Sequence, residues 1–378
     1  MKHGKHLQIP ECPSDVDELW SGAMTLSADR LPEWLTPKDA GWFRLLCVAP
    51  EGGLTPEEIK AAHRLRFVIE SHDGRLHVYM RHPPIDPVYS IGIWAGPAPW
   101  AMAQDARWKC PILTAQNVTD VPASYVADPF LFQEGERWLM FFEIWNWRDQ
   151  KGEIGVASAT DLQGPWRYER VVLTEDFHLS YPCVFESGSQ RYMVPESHDA
   201  GGVRLYRAKD FPCEWECLTT LLEGPYLADA SPFQHDGRWW MLVDSSADKG
   251  HHTLRLFSSA LLTGPWTEHP RSPVVEGDSR IARPAGCPKV SGGRLVRFAQ
   301  VCTPDYGTAV RAFEITELTA TTYGERELCA QPILGPSGSG WNASGMHHID
   351  AHPLPDGNWI AAVDGWYHPA RRLAPSCL

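Results

Sequence analysis

One motif recurs five times along the chain, and it leaves few folds open. Each copy reads as a small or polar residue, a short apolar run, a turn with Gly, an aromatic-led or apolar run, and then an acid or amide. The copies are ADPFLFQEGERWLMFFE ending at Glu143, SYPCVFESGSQRYMVPE ending at Glu196, and ADASPFQHDGRWWMLVD ending at Asp244. A looser one, ARPAGCPKVSGGRLVRFAQ, ends at Gln300, and IDAHPLPDGNWIAAVD ends at Asp364. Two strand-length apolar runs flanking a Gly turn make a β-hairpin. The spacing of roughly 50 to 65 residues leaves room for four short strands per repeat, the size of a propeller blade.

The segments after the hairpins repeat too. LxGPW occurs after the first copy (LQGPW) and after the third (LTGPW), and marks a turn between two outer strands. After the fifth hairpin the chain soon ends, and strands of the missing kind lie upstream in SIGIWAGPAPWAMAQDARWKCPIL, residues 90–113. A ring sealed in this way has no open sheet edge. The expected fold is therefore all-β, a five-bladed β-propeller over 89–378 closed by N-terminal strands. Residues 1–88 are expected to form a small α/β extension or cap. Within it, TPEEIKAAHRL reads as a capped helix start, with Thr55 at the cap, Pro56 next and Glu58 at the third position. LRFVIESHDGRLHVYM reads as a further hairpin.

Composition adds exclusions. The net charge of −13 offers no basic stripe to nucleic acid. No apolar run is long enough to span a bilayer as a helix, and MKHGKHLQIPECPSD lacks the apolar core of a signal peptide. The 10 cysteines have no framework spacing, which points to reduced thiols and a cytoplasmic location. The CxxxC pair Cys213 and Cys217 has no second Cys or His pair to complete a zinc site. The 17 tryptophans suit short strands and also provide faces for sugar rings.

In a propeller the first strand of each blade lies innermost, and its hairpin returns the chain to the face it left. Counting back from the turns puts Asp128, Tyr181, Asp229, Arg283 and Asp350 at the starts of the inner strands. Glu143, Glu196, Asp244, Gln300 and Asp364 then end the hairpins on the same face. One mouth of the channel should gather both sets, while the other face shows only variable turns. Acids at strand ends also serve as simple acceptors for backbone N–H groups. A whole set crowded together is costlier, because like charges raise one another's pKa. Glycosidic cleavage or transfer makes use of such a set: one carboxylic acid protonates the leaving oxygen, and a carboxylate acts as nucleophile or activates water. Asp128, Glu196 and Asp229 are the expected catalytic acids. Glu143, Trp145, His178, Tyr181, Asp244, Arg283, Trp341, His347, His348 and Asp350 are the expected sugar-binding groups, with Trp147 beside Trp145. No cofactor is expected, although a channel His together with Asp350 could hold a divalent cation.

The ADPFLF start and the three-acid, five-blade layout resemble the five-bladed glycosidases, which include arabinanases, β-xylosidases, levansucrases and invertases. That resemblance implies a base or nucleophile role for Asp128 and an acid role for a Glu. VTDVPASYVADPFLF, FHLSYPCVFESGSQRYMVPES, DASPFQHDGRWW, ARPAG and GMHHID are similar to the N-terminal propeller of plant glucosamine inositolphosphorylceramide transferases and bacterial relatives, over about residues 88–366. This implies a glycan or glycolipid setting. The plant proteins carry a separate glycosyltransferase domain, and nothing like it is expected after this propeller. Three functions stay open: a carbohydrate-active enzyme (hydrolase or transferase), a glycan-binding propeller serving a partner glycosyltransferase, or a propeller turned to other acid/base chemistry.

Overall fold

In the computed structural model each repeated motif is an antiparallel hairpin. The structure describes residues 87–368 apart from 106–107 and 163, together with the backbone of four strands between 24 and 81. In the first blade Ala123–Glu134 pairs with Arg137–Asn146, followed outward by Lys151–Ala159 and Arg167–Leu173. The second blade repeats the order with Ser180–Ser187, Gln190–Glu196, Gly202–Asp210 and Glu214–Glu223. In the third, Ala228–His235, Arg238–Asp244 and Thr253–Ser259 are followed by two short outer pieces, Thr267–Glu268 and Val275–Glu276. The fourth has a short inner strand, Lys289–Ser291, then Arg294–Val301, Ala309–Leu318 and Tyr323–Glu327.

The fifth blade takes two strands from the C-terminal side, Ile349–Pro353 and Trp359–Tyr367, and its third, Val88–Gly96, from upstream. Trp359 to Tyr367 pair continuously with Gly96 to Val88, so this is the expected closure of the ring. Single bridges, Ala95 to Ala103 and Ile91 to Leu113, extend the blade outward.

Blades bury both faces, which explains why WLMFF in the second strand of blade one is apolar without alternation. Five core clusters lie one at each blade junction. Ile91, Ile93 and Ile360 meet Leu131 and Met140 across the closure, and Phe141 and Val156 meet Val184 and Met193 across the next junction. The others pack Val194 against Met241, Leu242 against Leu295, and Val310 against Ile349. The two LxGPW turns are alike. Gly164 and Gly264 take φ of +87° and +92°, and the indole N–H of Trp166 and Trp266 donates to the carbonyl of Leu162 and Leu262.

Upstream, Phe67–His72 and Arg75–Arg81 form the expected hairpin, within a sheet that also contains Phe43–Pro50 and Met24–Thr25. The helix start at Thr55 lies outside the described residues.

Candidate functional site

Three blades carry the same bulge at the start of the inner strand. Ala127 faces Glu143, Ser180 faces Glu196 and Ala228 faces Asp244; register then slips before Phe130, Cys183 and Ser231. The residues in the slip, Asp128, Tyr181 and Asp229, have φ of 51°, 46° and 51°. Non-glycine residues there are strained, and a strain repeated in three blades marks a position where side-chain direction matters.

The bulges link the blades. The Asp128 N–H donates to Asp364 Oδ2 at 3.0 Å, and the Tyr181 N–H donates to Asp128 Oδ2 at 3.2 Å. The Tyr181 hydroxyl lies 2.8 Å from Ser231 Oγ and accepts from the Gly286 N–H at 2.6 Å. Tyr181 therefore packs with Phe130, Cys183 and Cys287 as a plug inside the channel rather than lining a cavity.

Above the plug is a cavity of about 460 Å³, within the range of small-molecule sites. Asp128, Glu143, Trp145, His178, Arg283 and His347 line it, all of them expected from sequence. Burial raises the Asp128 carboxyl to about 7, with Asp229 and Asp364 adding to the rise and His347 opposing it. Burial and the neighbouring Asp128 push Glu143 well above the usual carboxylate range. The Tyr125 hydroxyl donates to Glu143 Oε1 at 3.3 Å, and its ring stacks on Trp145 at 5.8 Å and 18°. His178 Nδ1 accepts from the Gly152 N–H at 2.8 Å, and burial lowers its pKa, so it is neutral with Nε2 4.0 Å from Glu143 Oε1.

On the far wall Arg283 forms two bonds to Asp229, 2.7 Å from Nε and 3.1 Å from Nη2. Gln300 Nε2 also donates to Asp229 at 2.9 Å. Asp229 lies behind Arg283 and positions it, so the expected catalytic acid is a buried counter-ion. Burial raises its pKa, which Arg283 opposes. Glu196 is likewise held by His198 through the ring nitrogen and the backbone N–H, away from the cavity lining. Asp244 accepts from Ser246 and pairs with His251 at 3.0 Å, behind Arg283.

Two further expectations move. Trp341 sits against Gly92 and Gly365 and lines a separate pocket beside the fifth blade. Asp350 pairs with Ala362, two residues in from Asp364, just as Phe130 pairs with Phe141, two residues in from Glu143. Asp350 therefore faces the opposite end of the channel. Trp147 is buried. His348 is fully buried against Phe130 and Tyr181, and burial lowers it to about 4.

Sequence reasoning missed Tyr89, Tyr125 and Tyr306, which complete the cavity wall. Tyr125 had a signal, standing two residues before Ala127 on the strand that carries Asp128; Tyr306 lies in a loop without a repeat to locate it. One grouping among the described residues has ligand atoms close enough for a metal: Asp128, His347 and Asp364, within 4.8 Å of one another. Four N–H groups already fill Asp364, from the His347 side chain and the backbones of Asp128, His347 and His348. A metal bound through Asp364 would have to displace those bonds.

Known proteins match this chain in sequence and in fold. Rice (Oryza sativa subsp. japonica) glucosamine inositolphosphorylceramide transferase 1 is 33% identical over 296 residues, covering 73% of this chain and 40% of the rice protein. The Arabidopsis thaliana protein of the same name is 30% identical, covering 73% of this chain and 39% of its own length. The chain thus spans about two fifths of the length of these relatives. In fold, the catalytic domain of a Coprinopsis cinerea GH62 α-L-arabinofuranosidase superposes with a TM-score of 0.50 at 15% identity, over 74% of this chain and 98% of that domain. The family model described as glucosamine inositolphosphorylceramide transferase 1, N-terminal, matches residues 82–366, and the chain belongs to that family.

Proposed function

We propose that the upper cavity binds a sugar unit of a glycoconjugate and breaks or transfers its glycosidic bond, using Glu143 and Asp128. The observation that carries this reading is that both carboxyl groups line one cavity beside the Tyr125–Trp145 stack, and both are pushed upward in pKa. Burial and the neighbouring Asp128 favour the protonated form of Glu143, which gives its proton to the leaving oxygen as the C–O bond breaks. Asp128 is partly ionised there, helped by His347. It forms the new bond to the anomeric carbon, or takes the proton of the water or acceptor hydroxyl that does. Arg283, fixed by Asp229, binds substrate oxygens.

A second reading has its own support. Two of the three acids expected from sequence are engaged by Arg283 and His198, which suits a rigid sugar-binding module that serves a partner transferase. A mass-spectrometric turnover screen separates the two. The rice and Arabidopsis relatives are named glucosamine inositolphosphorylceramide transferases, so glucosamine-bearing glycolipids head the panel of glycosides and activated sugars. A product formed by the wild type and lost in both Asp128→Asn and Glu143→Gln is expected. Full turnover in Asp128→Asn would overturn the catalytic roles, and a ligand retained unchanged by the wild type would favour the binding module.

A further inference from the structure

The opposite end of the channel is not a face of turns alone. A second cavity of about 250 Å³ is lined by residues further along all five inner strands, among them Phe130, Phe185, Phe233, Cys287, Lys289 and Asp350. The plug of Phe130, Tyr181, Cys183 and Cys287 separates it from the upper cavity.

The polar groups in it are unevenly satisfied. Asp350 is buried and fully engaged: Oδ1 pairs with Lys289 Nζ at 2.7 Å, and Oδ2 accepts from the Leu131 N–H at 2.8 Å and lies 2.7 Å from His352 Nε2. Lys289 has three N–H donors. Asp350 takes one, and the side chain is about one-fifth exposed, with its head in the cavity. Burial opposes its charge, but Asp350 raises its pKa and keeps it cationic. At the rim Glu186 is paired with Arg191 at 3.2 Å, so its charge is answered locally. The cavity therefore offers a cationic donor at its floor and apolar walls at Phe185 and Phe233. An ammonium with unused donors in such surroundings calls for an acceptor, and an oxyanion supplies the strongest one.

We propose that this lower cavity is a second ligand site, which takes a small organic carboxylate with its oxyanion on Lys289 and its apolar body between the aromatic walls. The site is independent of the upper one, because the plug divides them and no residue lines both.

Benzoate is the probe, with benzyl alcohol as a neutral match of similar shape and methyl α-D-glucopyranoside as a sugar control. Binding to the full chain is followed by saturation-transfer NMR and thermal shift. Benzoate should bind at least about tenfold more tightly than benzyl alcohol, because a charge-assisted bond exceeds a neutral one by that order. Binding should persist in Asp128→Asn and disappear in Lys289→Met. Since Lys289→Met leaves the buried Asp350 with only His352 and the Leu131 N–H, the double variant Lys289→Met/Asp350→Asn removes both charges of the pair and should also fail to bind. Absence of benzoate binding to the wild type, equal binding of benzyl alcohol, or binding retained in the folded double variant would each overturn the proposal. A preference for the glucoside, lost in the double variant, would overturn the carboxylate assignment.

Discussion

His347 is tied to Asp364 twice: its Nδ1–H and its backbone N–H both donate to Oδ1, at 2.7 Å and 3.1 Å. The other oxygen of Asp364 holds the Asp128 backbone at 3.0 Å, so one buried carboxylate places both the imidazole and the bulge that aims Asp128. Burial opposes the imidazolium, but Asp364 outweighs it and lifts His347 from 6.5 to about 9. A raised histidine adds stability that is complete below its unfolded pKa and is lost as pH rises through the folded value. The Tm difference between wild type and Asp364→Asn should therefore be large near pH 6 and shrink as pH passes about 9. A difference that stays constant over that range would mean the pair is not charged.

Asp128 has linkage of the same sign, at lower pH. Its carboxyl rises from 3.8 to about 7, chiefly through burial, so the folded state holds a proton that the unfolded state releases. Ionising it in place costs stability that is absent below pH 4 and fully expressed above pH 7. Asp128→Asn should raise Tm by a few degrees at pH 8 and by little at pH 4, while abolishing any turnover. Thermal melts across that range check the claim, and destabilisation at pH 8 would refute it.

The ring was legible because a hairpin repeat is a local pattern, and closure came from counting strands. Much of the upper site was legible for the same reason: Glu143 ends a hairpin, and the ADP string places Asp128. The failures have two causes. The bulges shift register in the first three blades and not in the fifth, so counting by a common offset carried Asp350 to the wrong mouth. Asp229 and Glu196 stand at strand positions that the repeat marks, but what engages them is not part of the repeat: His198 is a local neighbour two residues beyond Glu196, and Arg283 reaches Asp229 only once the chain is folded. In particular, Arg283 comes from the next blade.

The pairing of Arg283 with Asp229 is open to a double-mutant cycle. Arg283→Met leaves the Asp229 carboxylate buried with only Gln300 as partner, a loss on the order of 3–5 kcal/mol. Asp229→Asn takes the nearest carboxylate from the guanidinium and leaves it the Tyr226 hydroxyl at 3.0 Å and Asp244 at 3.9 Å, so its loss should be the smaller of the two. If the two act as one unit, the double variant should be clearly more stable than the sum of the single losses, by about 1 kcal/mol or more in urea melts. Simple additivity would show that each is held by other partners.

The plug makes a steric prediction. Gly286 has φ of +134°, and a Cβ placed there would lie 1.9 Å from the Ile349 carbonyl oxygen, a backbone atom of the neighbouring blade. Its N–H also donates to the Tyr181 hydroxyl at the centre of the channel. Gly286→Ala must separate the fourth and fifth blades and weaken the plug, so it should destabilise the fold by more than about 3 kcal/mol. Tyr181→Phe removes only the hydroxyl and leaves the Gly286 N–H buried without its acceptor, which costs about 1–3 kcal/mol. Denaturant melts should therefore rank Gly286→Ala well below Tyr181→Phe, and Tyr181→Phe below wild type. The reverse order would mean that the tyrosine, and not close contact between the blades, sets the spacing at the axis.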